Sequence, residues 1–349
     1  MPGQQVRQRR QTTQPVTAFG QKITFSLGKG MLYRELMLRF YGNITWTAPL
    51  NVAANIGRGD EWALIDRIDI FVNGNDLIRT FSGPMLRIIN QMWENSFSRP
   101  SLTFGDGATA APTFDSTLVI PFWQPQSFRP MDTALDSSKV SDFRIEITIA
   151  STAQFTSATA PTAIAANIDI LSLESFGVDP SSVFSEMRLY QIQQTISGVN
   201  SAYQVQLPVG PLYRGFFFNA FTTGTGYTTA DLPNAITNVK ITSGTTVFRD
   251  IPWAVLRDWQ RQRIGWRRDF VQQAANSPAV ATAGGVYLRT AKSSLVDEDS
   301  VAFLDLCQDG YMTEAIDTYG FSELNLEFHV AAACSLWIVP IQVYPPRGR

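Results

Sequence analysis

Apolar and polar residues alternate with a period of two along most of this chain. Ile23, Phe25 and Leu27, then Leu36, Leu38 and Phe40, sit at every second position. That spacing puts apolar side chains on one face of a strand and polar ones on the other. Further strands are predicted over Trp62 to Val72, Thr117 to Phe122, Phe143 to Ile149 and Ile168 to Leu173. A second series covers Met187 to Gln206, Phe216 to Phe221, Ala235 to Ile241, Val301 to Cys307, Leu324 to Val330 and Leu336 to Val343. Loops rich in Gly, Pro, Ser and Thr separate them, including Phe104 to Gly107 and Ser151 to Ala166. The period changes to helical in two places. Pro84 to Trp93 gathers Met85, Leu86, Ile89 and Met92 on one face; Pro252 to about Trp266 gathers Val255, Leu256, Trp259 and Arg263. A proline at or near the first turn costs no hydrogen bond there.

The two series are one pattern written twice. Gly30, Leu32, Tyr33 and Arg34 return 180 positions later as Gly210, Leu212, Tyr213 and Arg214. Gly74, Leu77, Ile78 and Arg79 return after 170 as Gly244, Val247, Phe248 and Arg249, and the helical Leu86-Arg87 matches Leu256-Arg257 at the same offset. Met131, Ala134, Leu135 and Asp136 return after 181 as Met312, Ala315, Ile316 and Asp317. Three collinear blocks indicate a duplicated domain. Many short strands with long loops and one short helix per copy predict an all-β chain of two tandem jelly-roll β-sandwiches. The expected boundaries are an N-terminal basic arm at 1–20, a first jelly roll at 21–175, a hinge at 176–185, a second jelly roll at 186–345 and a basic tail at 346–349.

Composition narrows the chemistry. Half of 349 residues is enough for one hydrophobic core, so neither copy needs metal or disulfide support. Cys307 and Cys334 lie in apolar runs and read as buried thiols, compatible with a reducing cytoplasm. Met1 opens into Gln, Arg and Thr, with no signal-peptide pattern, and the apolar run Val330 to Val343 is too short to span a bilayer. His329 is the sole histidine. It has no nucleophile or orienting acid in evidence, and a two-domain cupin would need several such ligands, so no catalytic residue, metal site or cofactor is expected. Gly224-Thr-Gly226 and Gly28-Lys-Gly30 read as turns, Arg58-Gly59-Asp60 as a chance tripeptide, and Asp297-Glu298-Asp299 as a solvated loop with weak calcium binding as the lesser reading.

Charge is uneven although 28 Lys and Arg nearly balance 30 Asp and Glu. Residues 1–34 carry six Lys or Arg and no acid, and beyond Glu327 only Arg347 and Arg349 are charged. Arg7, Arg9, Arg10, Arg347 and Arg349 are therefore candidates for inner-face contacts of an assembly, with anionic lipid headgroups or with a neighbouring subunit. The arm is too polar to fold alone, and its removal is expected to leave melting unchanged. Arg261, Arg263, Arg267, Arg268 and Trp266 form a second candidate set. Arg and Trp anchor protein interfaces, which favours a subunit contact over nucleic-acid stacking.

The stretch Asp132 to Ile147, with Leu135-Asp136, Val140, Phe143 and Ile145, resembles the region that closes a jelly roll in the double jelly-roll major capsid proteins. Those belong to tailless icosahedral phages with an internal membrane, the tectivirus, corticovirus and finnlakevirus groups. Ile120-Pro121-Phe122 is similar to a strand end in that family. The resemblance implies a non-enzymatic chain made in the host cytoplasm and housed in the virion as a homotrimer whose six jelly rolls form a pseudo-hexagonal capsomer. It also implies neighbouring capsomers, penton and minor capsid proteins and an inner lipid membrane as partners, with genome contact secondary. A duplicated β-sandwich spike or lectin that binds glycans is the alternative from another class.

Overall fold

The computed structural model describes residues 5–46, 61–93, 113–124, 130–154, 161–176, 183, 185–222, 232, 234–263, 300–308 and 310–345. The first half supplies β1 (Gln5–Arg10), β2 (Gln14–Val16), β3 (Lys22–Ser26), β4 (Leu32–Trp46), β5 (Ile65–Val72) and β6 (Asp76–Phe81). It continues with α1 (Gly83–Trp93), β7 (Thr113–Pro121), β8 (Leu135–Asp136), β9 (Phe143–Ile149) and β10 (Pro161–Phe176). These pair as two antiparallel layers, β1/β2–β10–β4–β7 and β3–β9–β5–β6. The strand order is that of a jelly roll.

The second half repeats it. Its elements are β11 (Glu186–Tyr190), β12 (Ile192–Ile196), β13 (Asn200–Leu207), β14 (Leu212–Phe221), β15 (Ile236–Ser243), β16 (Thr246–Pro252), α2 (Trp253–Arg263), β17 (Val301–Asp305), β18 (Ile316–Asp317), β19 (Leu324–Val330) and β20 (Cys334–Tyr344). The layers are β11/β12–β20–β14–β17 and β13–β19–β15–β16.

Each repeated block of sequence performs one job in both copies. Tyr33 donates its hydroxyl to Gly28 O at 2.8 Å, and Tyr213 to Pro208 O at 2.5 Å. Tyr33 lies opposite Leu135, and Tyr213 opposite Ile316. Asp136 Oδ1 accepts from Ser138 N as Asp317 Oδ1 accepts from Tyr319 N. Gly74 and Gly244 carry positive φ, +82° and +55°, in the turns before β6 and β16, a conformation open to glycine without steric cost. Past those turns Arg79 faces Ile70 and Arg249 faces Ile241, each preceded by a bulge in its own strand, at Ile78 and Phe248. The guanidinium donates to the carbonyl of the preceding residue in both, at 3.0 and 2.9 Å.

Alternation makes the strands, and burial follows it where one face meets solvent. β9 (FRIEITI) and β19 (LNLEFHV) have the same alternating buried and half-buried pattern. β14 departs from it, with Phe216, Phe217, Phe218 and Phe221 all buried. Phe216 and Phe218 fill the second sandwich, while Phe217 on the opposite face joins the first domain's core. That face covers α1, with the Phe217 ring 5.7 Å from Trp93. α1 is consequently buried along its whole length.

The two jelly rolls also share backbone. β11 pairs with β6 in parallel, Leu189 opposite Arg79 and Tyr190 opposite Thr80, which fuses one layer of each domain into a ten-stranded sheet. Arg79 is fully buried at this seam and donates to the carbonyls of Met187 and Pro121 beneath the Phe122 ring. Burial pulls its guanidinium down to about 9, which still leaves it charged at neutral pH.

Several expected boundaries move. Residues 5–16 are not a free arm. They form β1 and β2, the edge of the first jelly roll, paired with β10 over Gln5–Phe176 to Arg10–Leu171. Backbone pairing orders a segment too polar to bury itself. Trp62 to Leu64 is a 3-10 turn, and the strand starts at Ile65. Met187 to Gln206 is three strands instead of one. Part of the tract read as loop, from Pro161 onward, is the start of β10. Val255 is exposed on α2, not on its buried face with Leu256. The tail at 346–349 lies outside the described residues.

Surface carboxylates set the acid response. Hydrogen bonds from Arg39 hold Asp115 below its ordinary value, Lys22 does so for Glu146, and the Gly74 N–H for Asp142. A carboxyl with a depressed folded pKa adds stability that is complete above its unfolded pKa and disappears as pH falls through the folded one. Stability set by these groups should be flat from neutrality to about pH 5 and fall below about pH 4. Urea midpoints across that range check this, and a midpoint higher at pH 3 than at pH 6 would contradict it.

Candidate functional site

Chemistry has little to work with among the described residues. No group of three or more His, Cys, Asp or Glu side chains converges there. His329 is half-exposed on β19 with Glu327 at 3.8 Å. Cys307 and Cys334 are buried free thiols, and burial raises them to about 12 and about 11. Nucleophilic thiolate is therefore scarce near neutral pH. The Arg58-Gly59-Asp60 and Asp297-Glu298-Asp299 segments lie outside the described residues.

The informative surfaces are sheet edges. Arg7, Arg9 and Arg10 lie on β1, whose side chains are exposed throughout and which ends its sheet. Arg7 reaches Glu174 Oε2 at 2.6 Å and stacks over Phe176 at 4.5 Å. Arg10 reaches Asp169 Oδ2 at 2.8 Å and donates to Thr13 Oγ1. Glu174 and Asp169 are buried, so these arginines compensate carboxylates of their own sheet, a local role that an arm free for a membrane would not have. Arg9 makes no ion pair with a described residue.

The second jelly roll holds the counterpart strand inside the molecule. Arg188 on β11 stacks over Tyr344 at 4.8 Å, as Arg7 does over Phe176. It also pairs with Glu186 at 2.8 Å and Asp76 of the first domain at 3.3 Å. Tyr190 donates to Leu77 O at 2.6 Å. β1 and β11 are thus the same strand in two situations, one facing outward and one sealing the seam.

The opposite edge shows the same asymmetry. β6 is covered by β11, whereas β16 ends its four-stranded sheet among the described residues. Val247 on β16 is 49% exposed and Val6 on β1 is 51% exposed. α1 is buried, but α2 exposes Val255 and pairs Arg257 with its neighbour Asp258. Arg261 and Arg263 fall in the last turn of α2, with side chains outside the described residues; Trp266, Arg267, Arg268, Arg347 and Arg349 lie wholly outside them. The sequence signal for β16 as an edge is Pro252 at its end, which has no N–H to pair where the first copy has Ser82; the rest of β16 resembles β6.

The outward layer of β4, β10 and β7 corresponds to the face of β14 that covers α1. Met37, Arg39 and Tyr41 stand where Phe217, Asn219 and Phe221 stand in the second copy. Arg39 binds Asp115 through two hydrogen bonds of 2.8 and 2.6 Å and lies over Tyr41. This face is polar and aromatic, where its counterpart is aromatic and closed.

No family model matches the sequence, and no curated protein resembles it at the level of sequence. Solved structures do resemble it in fold. The crystal structure of the STIV MCP, from Sulfolobus Turreted Icosahedral Virus, superposes with TM-score 0.72 at 10% identity, covering 98% of this chain and 97% of that one. The major capsid protein P2 of bacteriophage PM2 gives TM-score 0.60 at 13% identity with 99% of both chains covered. The PBCV-1 virus capsid gives 0.57 at 12% identity over 98% of this chain and 94% of that one. The likeness is one of fold: two jelly rolls in tandem, matched end to end.

Proposed function

We propose that this chain is the major capsid protein of an icosahedral virus, forming homotrimeric capsomers in which six jelly rolls make a pseudo-hexagon. The observation that carries this reading is the end-to-end correspondence with shell-forming proteins, over 98% of this chain and 97% of the STIV MCP. A duplicated domain suits the role physically. Three chains present six similar walls, which fits a site surrounded by six neighbours while the symmetry stays threefold. The exposed edge of each jelly roll supports self-association, because an unpaired strand edge templates the addition of another strand. Nothing on the described surface favours a glycan-binding spike over this reading.

Of the candidate lipid contacts at the N-terminus, Arg7 and Arg10 are engaged by Glu174 and Asp169, which leaves Arg9. We place contact with an inner membrane, pentons and minor capsid proteins on the capsomer as a whole, within a virion assembled from chains made in the host cytoplasm.

The mass of the purified protein in reducing buffer tests the reading, together with negative-stain images. Three chains per particle and flat hexagonal plates are expected. A stable monomer at micromolar concentration, or a slender trimer, would count against a capsomer.

A further inference from the structure

We propose that protomers join by strand addition in a register already written inside each chain: β1 of one copy pairs in parallel with β16 of the next, placing Gln8 opposite Arg249 and Arg9 opposite Asp250. The inference deepens the capsomer reading and rests on its self-association.

The template is the seam between the two jelly rolls. There β11 of the second domain lies parallel to β6 of the first, with Leu189 opposite Arg79 and Tyr190 opposite Thr80. The paired strands identify the equivalents. Gln8 faces Leu173 on β10, and Leu189 faces Ile341 on β20; Leu173 faces Glu35 and Ile341 faces Gly215 at matching places on β4 and β14. Gln8 therefore corresponds to Leu189, Arg9 to Tyr190 and Val6 to Met187. On the other side Arg249 and Asp250 correspond to Arg79 and Thr80. Among the described residues, each chain thus uses one such seam internally and leaves one half of it at each outer edge. Repeating the step from domain to domain brings the free β16 of one copy to the free β1 of the next.

The chemistry at the two free halves is complementary. Arg9 is exposed, makes no ion pair with a described residue, and would stand beside Asp250, whose described partner is the neutral Asn238 amide. Val6 is 51% exposed and would occupy the place of Met187, which is buried. Its carbonyl would stand where the Met187 carbonyl receives Arg79, and Arg249 already has the same bond to its preceding carbonyl that Arg79 has. One element of the template does not repeat. Gln191 accepts from Ser82 N in the internal seam, and the corresponding position on β16 is Pro252, which has no N–H. The same step sets α2, with its exposed Val255, toward Met37, Arg39 and Tyr41, in the manner that α1 lies against Phe217.

The test uses the full chain. Adjacent strands lie ~4.8 Å apart, within reach of a disulfide. Arg9→Cys combined with Asp250→Cys should, after mild oxidation of the assembled protein, give covalent dimers and trimers on a non-reducing gel. Either cysteine alone should give neither. Tyr190→Cys with Thr80→Cys serves as the internal control, closing a bond within one chain. A charge exchange gives a second readout. Arg9→Glu or Asp250→Arg alone should weaken association about tenfold at low salt, and the double exchange should restore it. Wild-type trimers without cross-linking and without rescue would overturn this ladder and leave the capsomer reading standing. A cross-link confined to single chains would overturn it too. Wild-type monomers would remove the capsomer reading and the ladder with it.

Discussion

Deleting residues 1–10 should destabilise the folded chain by about 3–5 kcal/mol, because it strips partners from buried carboxylates. The segment is strand β1, and its removal leaves Glu174 without Arg7 and Asp169 without Arg10. Both carboxylates are buried, Glu174 completely, whereas Arg7 and Arg10 are about half-exposed. The cost is therefore that of two carboxylates losing their compensating charge together with the lost pairing of β1 on β10. Ser172 still donates to Glu174 Oε1 at 2.6 Å, which offsets part of the loss. At about 2–4 °C per kcal/mol for domains of this size, melting should fall by roughly 10 °C. Scanning calorimetry of the truncated chain against the intact one measures this. Unchanged melting would restore the reading of these residues as a dispensable arm. Glu174→Gln in the truncated chain should recover part of the loss, since a buried amide avoids the uncompensated charge.

Phe217→Ala should cost about 3–5 kcal/mol, in line with truncation of a fully buried aromatic ring. Phe217 stacks on Phe303 with centroids 4.4 Å apart and touches Trp93 of the other domain. The lost ring would open space between the two jelly rolls, in the contact that holds α1 down. The matched substitution Met37→Ala acts at the same place in the first copy, on a face that is only half-buried, and should cost under about 1 kcal/mol. Denaturant unfolding should therefore separate the pair, and Phe217→Ala should also split one transition into two as the domains lose their coupling. Equal effects at both positions would mean that the asymmetry between the two faces is not energetic.

The duplication was legible from residues alone because its blocks sit at turns and strand starts. Gly74 and Gly244 take the positive φ that their turns need, and Tyr33 and Tyr213 lock the same carbonyl five residues back. Such positions are fixed by local geometry, and local geometry is what a sequence states directly. The helices followed from Pro84 and Pro252 together with a period near 3.6, although α2 begins at Trp253 and shows Val255 to solvent. β1 was hidden for the opposite reason. Gln5 to Arg10 has the composition of a disordered tail, and what orders it is the backbone of β10, a segment far away in sequence.

Amphipathic alternation and the three repeated blocks determined the class of fold and its duplication. They do so because turns and strand faces are properties of short stretches. Which edges are closed and which are open was decided only in three dimensions. β6 and β16 share their bulge and their arginine, yet β11 covers one and no described strand covers the other. Arg79 is buried and Arg249 half-exposed for the same reason. Burial at an edge depends on the neighbouring domain's position, and that position comes from packing Phe217 on Trp93, a contact between residues whose separation along the chain gives no sign of it.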